Sequence, residues 1–74
     1  MSYYKDQQKV NVFLSEKFNA LVKGEFTKLE VNALVLHLTE EFAIPEKYVR
    51  KRVDLLLSIY PGVELRDGVL IKND

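Results

Sequence analysis

Residues 45–60 constrain the fold most, because they combine a helix start with a dense apolar face. Pro45 suits the first helical position, where its missing N–H has no intrahelical partner, and Glu46 suits the positive end of the helix dipole. The other side of this helix carries Lys47 and Lys51 and is predicted to face outward. The apolar residues repeat at the spacing of a core-facing stripe; they are Val49, Val53, Leu56, Leu57 and Tyr60.

Two further helices are predicted upstream. Residues 5–23 carry apolar side chains at helical spacing, and Gly24 ends this helix because glycine readily takes the left-handed conformation that follows a helix. Thr27 and Glu30 form a capping-box pattern, which predicts a second helix over residues 28–41. The residues expected in the core are Val10, Phe13, Leu14, Phe18, Leu21 and Val22 from the first helix and Val31, Leu34, Val35, Leu38 and Phe42 from the second.

The second helix also carries an apolar strip away from this core face, formed by Leu29, Ala33 and Leu36. Either the first helix covers the strip, so that the second helix is the central one, or the strip is exposed and binds a partner. We favour the covered arrangement, because the middle helix of a three-helix domain commonly has neighbours on two sides.

A short turn joins the second helix to the helix over residues 45–60. Residues 42–44 form this turn, since Ile44 precedes a proline and is biased towards an extended conformation. Two helices joined in this way make a helix-turn-helix. Residues 25–26, which lie between the first two helices, suit a brief strand.

A β-hairpin is predicted at the end of the sequence. Pro61 cannot continue the third helix, and the segments 63–66 and 69–72 flank Asp67 and Gly68. Asp-Gly is a strong hairpin signal, because a type I′ turn needs positive φ at both central residues. The predicted fold is therefore α+β and mostly helical, in a single domain over all 74 residues.

Composition limits the classes of function. A chain of 74 residues has a small core and little room for an elaborate active site. Its eleven Lys and Arg balance eleven Asp and Glu, which argues against a strongly charge-driven nucleic-acid binder but leaves room for a local basic patch. It has no cysteine, no apolar run near the ~20 residues of a membrane span, and no secretory-signal pattern at its start. We expect a cytoplasmic protein.

Catalytic patterns are lacking in the sequence. His37 is the only histidine, so one chain cannot build a two-histidine metal site. Glu40 and Glu41 are adjacent and point to different sides of a helix, so they do not form a carboxylate pair. The three glycines form no phosphate-binding loop. We therefore expect no enzyme activity, no cofactor, no metal and no small-molecule substrate.

The order of these elements resembles that of winged helix-turn-helix domains, with residues 63–72 as the wing. The resemblance covers nearly the whole chain and rests on architecture. It implies that the helix over residues 45–60 enters the major groove of double-stranded DNA and that the wing lies along the backbone or minor groove. Arg52 falls inside the apolar arc and is expected to snorkel or to pair with a carboxylate. The DNA-contacting residues that the resemblance implies are Lys28, Lys47, Tyr48, Arg50, Lys51, Arg66 and Lys72.

Two functions are compatible with this resemblance. The first is a small DNA-binding regulator of transcription or recombination, acting as a dimer because paired half-sites increase specificity. Small proteins of this kind look like those encoded by viruses or plasmids of bacteria and archaea. The second is a module for protein interaction or dimerisation, using Leu29, Ala33 and Leu36 or the long first helix. Zero net charge favours the second function, whereas the basic residues within 47–52 favour the first, which we rank ahead.

Overall fold

The computed structural model describes residues 3–73, and the side chains of residues 6–73. Within this part of the chain, three helices pack with one three-stranded antiparallel sheet. The predicted class, α+β and mostly helical, is confirmed. The elements are α1 (Tyr3–Lys23), β1 (Lys28–Glu30), α2 (Val31–Glu41), α3 (Glu46–Ile59), β2 (Val63–Arg66) and β3 (Val69–Lys72).

The first helix ends at Lys23, and Gly24 follows its end as predicted. Gly24 has φ of 84°, in the left-handed region where a side chain causes strain. Its N–H donates to the carbonyl of Leu21 (3.0 Å), and the N–H of Glu25 donates to the carbonyl of Ala20 (2.8 Å). These two bonds form a Schellman motif, which satisfies carbonyls that the helix end would otherwise leave unpaired.

The second helix begins three residues later than predicted. Helix α2 starts at Val31, and Glu30 before it has extended backbone and makes no side-chain capping bond. The prediction that Thr27 and Glu30 form a capping box was therefore wrong. The N–H of Val31 donates instead to the carbonyl of Gly68 in the hairpin turn, at 3.0 Å. The predicted end at Glu41 is confirmed.

Residues 28–30, which were predicted as helix, form strand β1. This strand pairs antiparallel with β3, and Leu29 lies opposite Leu70. The strand predicted at residues 25–26 is thus displaced along the chain. The position of β1 depends on its partner strand β3 at the far end of the chain. This partner gives residues 28–30 ladder hydrogen bonds that a helix start would lack.

The hairpin has the predicted bounds and the predicted turn. Strands β2 and β3 pair antiparallel, and β3 lies in the centre of the sheet in the order β1-β3-β2. Asp67 and Gly68 have φ of 54° and 76°, the two positive values that a type I′ turn requires. Leu29, Leu70 and Leu65 form one cross-strand row. Leu70 in its centre is fully buried, so this row faces the helices.

The third helix is one residue shorter at each end than predicted. Helix α3 runs from Glu46 to Ile59. Pro45 precedes the helix with extended backbone and is the N-cap rather than the first helical residue, and its carbonyl accepts hydrogen bonds from the N–H groups of Tyr48 (3.1 Å) and Val49 (3.4 Å).

Helix α3, and not α2, is the central helix. It packs against α1, α2 and β2, whereas α2 packs mainly against α3 and β1. Val22, predicted in the core, is 39% exposed, so that prediction was wrong. Phe13, Leu57, Tyr60 and Phe42 are partly buried against the core. The buried cluster consists of Val10, Leu14, Phe18, Leu21, Val31, Leu34, Val35, Leu38, Ile44, Val49, Val53, Leu56, Val63 and Leu70.

Candidate functional site

The outer face of α3 presents two adjacent lysines to solvent. Lys47 and Lys51 are both exposed and, being four residues apart, lie on the same side of the helix. Within the described part of the chain neither takes part in an ion pair. They share a shallow surface depression with Arg50 and with the carboxylates of Glu46 and Asp54. The face is thus basic in its centre and acidic at its margins.

Arg50 links α3 to α2. Its Nε donates to Glu46 Oε2 at 2.7 Å, and its Nη2 donates to Asn32 Oδ1 in the first turn of α2, also at 2.7 Å. A guanidinium has five N–H donors, so these two bonds leave three. The side chain is 44% exposed, which makes the ion pair a weak source of stability. Its effect is to fix the direction of the guanidinium.

Tyr48 lies on a different side of α3. Its side chain is half-buried, and its hydroxyl donates to Asn11 Oδ1 of α1 at 3.4 Å. The ring packs against the core cluster. Tyr48 also borders a small depression with Pro45, Lys47 and Lys51. Tyr48 therefore reaches the edge of the outer face of α3 that carries Lys47 and Lys51, here called the lysine face, but its hydroxyl is directed towards α1.

Two of the predicted DNA contacts lie on the outer face of the sheet. Lys28, predicted at the start of a helix, is on β1 opposite Ile71, and Arg66 is on β2 opposite Val69. Ile71 and Val69 are the neighbours of the buried Leu70 on β3, and successive side chains of a strand point to opposite faces. Lys28 and Arg66 therefore point away from the core. Arg66 forms an ion pair with Glu64 on the same face. This part of the sheet is therefore mixed in charge.

Lys72 lies apart from both groups. It is exposed at the end of β3, opposite the buried Val63. Among residues 6–73, no hydrogen bond or ion pair connects Lys28, Arg66 or Lys72 to the lysine face of α3. The seven residues implied by the winged-helix resemblance therefore form three separate groups.

The apolar strip predicted on the second helix is divided between two elements. Leu29 lies on β1 and is half-buried against the core. Ala33 is exposed on α2, and Leu36 is 59% exposed. Our favoured expectation that α1 covers the strip was therefore wrong for Ala33 and Leu36. The reason is the central position of α3, which leaves the outer side of α2 without a packed neighbour among residues 6–73.

The sequence interpretation did not identify an open apolar groove along α1, here called the α1 groove. Val12 in this groove is 57% exposed. Lys9 Nζ lies 5.9 Å from the ring centroid of Phe42, a cation–π distance. The sequence signal was Val12, an apolar residue that lies outside the helical spacing of the core residues Val10 and Leu14. The groove is lined by Gln8, Lys9, Val12, Phe13, Glu16 and Phe42.

A second depression continues from Phe13 towards α2 and β1. The rings of Phe13 and His37 stack with centroids 5.2 Å apart. Lys17 Nζ lies 5.1 Å from the centroids of both Phe13 and Phe26. Leu29 also lines this depression. The single histidine of the sequence is thus in contact with an aromatic ring. The depression forms a furrow between α1 and α2 beside this contact.

Arg52 is half-buried, and its Nε is buried with no hydrogen-bond partner among the described residues. The carboxylate partner that we considered for it is not observed in this part of the chain. Residues 6–73 contain no group of three or more His, Cys, Asp or Glu side chains placed to hold a metal ion. Three surfaces remain candidates for function: the lysine face of α3, the α1 groove, and the side of α2 that exposes Ala33 and Leu36.

Comparison with known proteins gave no match to this chain among protein-family profiles, curated proteins or solved structures. Among the described residues, none of the helices combines the length and the apolar character needed to cross a membrane.

Proposed function

We propose that this chain is a winged-helix DNA-binding protein, a regulator of transcription or recombination that places the outer face of α3 in the major groove. The observation that carries this proposal is the pair of exposed lysines, Lys47 and Lys51, which have no ion pair within the described residues. The order of elements supports it too. A strand between the first two helices and a hairpin after α3 are what the resemblance to winged helix-turn-helix domains implies.

The charges of α3 suit weak, salt-sensitive binding. Lys47 and Lys51 can neutralise phosphates and release counterions, which gives affinity without sequence preference. Glu46 and Asp54 border the same depression and reduce the local surplus of positive charge. With about two phosphates neutralised by α3, the slope of log K against log salt concentration should be about −2. The protein should therefore bind DNA measurably only at low salt unless a preferred sequence is present.

Arg50 is the residue best placed to add sequence preference. Glu46 and Asn32 hold its guanidinium in one direction, and three N–H donors remain after these bonds. Arginine reads guanine through two such donors in the major groove. Lys47 and Lys51 would then contribute affinity, whereas Arg50 would contribute discrimination between bases.

The test compares two double variants that each remove two positive charges. Random duplex DNA carrying a fluorophore is titrated with the protein at low and at moderate salt, and anisotropy is measured. Replacing Lys47 and Lys51 by alanine should weaken binding and make the salt slope shallower by about 1 for each phosphate that is no longer neutralised. Replacing Lys17 and Lys23, which lie on α1, should change binding little.

The proposal is refuted by either of two results. One is the absence of binding to random duplex DNA by the wild-type chain even at low salt. The other is an equal loss of binding in both double variants, which would indicate a general effect of net charge. Circular dichroism spectra of all variants should be superimposable, since the four side chains lie outside the buried cluster.

A second candidate function is a protein-interaction module with the same fold. The observation that favours it is the exposure of Leu36, at 59%, beside the exposed Ala33 on α2. Apolar side chains that remain exposed together often mark binding surfaces. A zero net charge also suits a protein partner better than a polyanion. This function predicts a partner that no longer binds when Leu36 is replaced by a charged residue.

A further inference from the structure

One exposed stripe of α1 has an apolar centre with opposite charges on either side. Val12 is 57% exposed; Lys9 lies about one turn before it and Glu16 about one turn after it. Residues three and four positions apart are neighbours on a helix surface, so these side chains lie close together. All three line the α1 groove, which Phe42 also borders.

The geometry points to a second copy of this chain as the occupant of the α1 groove. When two α1 helices pack antiparallel around a two-fold axis beside Val12, Lys9 of each copy faces Glu16 of the other. A two-fold interface requires this reciprocity, in which residue i contacts residue j and j contacts i. Parallel packing would instead place lysine against lysine and glutamate against glutamate. Charge therefore selects the antiparallel arrangement.

The two charged groups are available for such pairing. Among the described residues neither Lys9 nor Glu16 takes part in an ion pair. Lys9 lies over Phe42 at 5.9 Å, a long cation–π contact that an ion pair can supplement. A zero formal net charge also means that two copies do not repel each other at long range.

The shape of the molecule favours contact along α1. The described chain measures 41 Å in its longest direction and 20 and 19 Å in the other two. Helix α1 has 21 residues, which corresponds to about 31 Å at the usual rise per residue. Antiparallel pairing along this direction covers several helical turns in each copy, whereas contact end to end would cover little. The apolar side chains of the groove are then removed from water.

This dimer leaves the lysine face of α3 uncovered. Asn11, on the side of α1 that meets α3, accepts a hydrogen bond from Tyr48. Lys9 and Glu16 are offset from Asn11 by about 160° and 140° on a helical projection, at 100° per residue. The inference therefore goes beyond DNA binding and stands without it, since the dimer and its charges involve no nucleic acid.

Sedimentation equilibrium of the full chain, without DNA, tests the interface by comparing two matched variants. The wild-type chain is expected to show a mass twice the 8.6 kDa of one copy. Val12→Asp should raise the dimer dissociation constant by at least about tenfold, because it buries an unpaired carboxylate at the axis. Ile59→Asp is the control, since Ile59 is 58% exposed and Val12 57%, and it should leave the dimer unchanged.

Charge reversal tests the antiparallel register. Lys9→Glu or Glu16→Lys alone creates two like-charged pairs per dimer and should weaken it by about threefold per pair, or roughly tenfold in all. The double variant exchanges the charges and should restore the wild-type dissociation constant. Both positions are exposed, so circular dichroism should show unchanged folding.

Three results overturn the inference. They are a wild-type chain that remains monomeric at every concentration, a dimer that Ile59→Asp dissociates as strongly as Val12→Asp, and a double charge reversal that does not recover association. A dimer without DNA binding would leave this inference standing and refute only the proposed function.

Discussion

Replacing Gly24 by alanine should destabilise the protein by about 1 kcal/mol. Gly24 has φ of 84°, and a Cβ built there meets no atom within 4 Å. The cost is therefore backbone strain, roughly 1–2 kcal/mol for an L-residue in the left-handed region. A gain of about 0.4–1 kcal/mol, from reduced freedom of the unfolded chain, partly offsets it. For a domain of this size the midpoint of thermal unfolding should fall by about 4–8 °C.

Gly62 offers a control in the same chain. It does not lie in the positive-φ region, and a Cβ there meets Val22 Cγ2 at 3.6 Å, an ordinary contact. Gly62→Ala should therefore be neutral or stabilise the protein by up to about 1 kcal/mol. Urea unfolding followed by circular dichroism measures both variants, with equal m-values as the check on two-state behaviour. If Gly24→Ala is as stable as Gly62→Ala, the strain argument is wrong.

Three further substitutions test burial. Leu70→Ala should cost about 2–5 kcal/mol, because it empties a fully buried site in the central strand. Leu65→Ala in the same row should cost less than about 1 kcal/mol, because Leu65 is 44% exposed. Equal losses in urea unfolding would contradict this difference in burial between the two positions. Leu36→Asp should leave the unfolding midpoint nearly unchanged, since the side chain is 59% exposed, and should abolish binding of any partner to this side of α2. Unfolding of that variant would show that Leu36 belongs to the core.

Local chemistry explains which elements the sequence predicted correctly. The turn at Asp67 and Gly68 and the helix end at Gly24 depend on backbone conformations that few residues adopt, and all three have positive φ in the structure. The strand between the first two helices was predicted at the wrong residues because its position has a non-local cause. Leu29 pairs with Leu70, and this pairing outweighs the capping pattern that begins at Thr27.

The candidate surfaces also include features that follow from the local sequence pattern and features that depend on how the helices pack. Exposure of Lys47 and Lys51 follows from their angle to the buried stripe of α3, which the spacing of apolar residues reveals. The bond from Arg50 to Asn32 joins residues 18 positions apart and depends on how α2 and α3 pack. The exposure of Leu36 also depends on which helix is central. Helix periodicity identifies the buried side of each helix but not which helices pack against it. It therefore could not decide whether the apolar strip of the second helix is covered or exposed.

The neutrality of the chain links the two proposals. One copy presents a small surplus of positive charge on α3, since Glu46 and Asp54 border the same depression as the lysines. A single weak contact of this kind cannot distinguish one site among many, but two linked contacts act with an effective concentration that multiplies their affinities. Pairing through the α1 groove would supply the second contact while leaving both α3 faces open. Dimerisation would therefore give the neutral chain useful DNA affinity without a strongly basic surface.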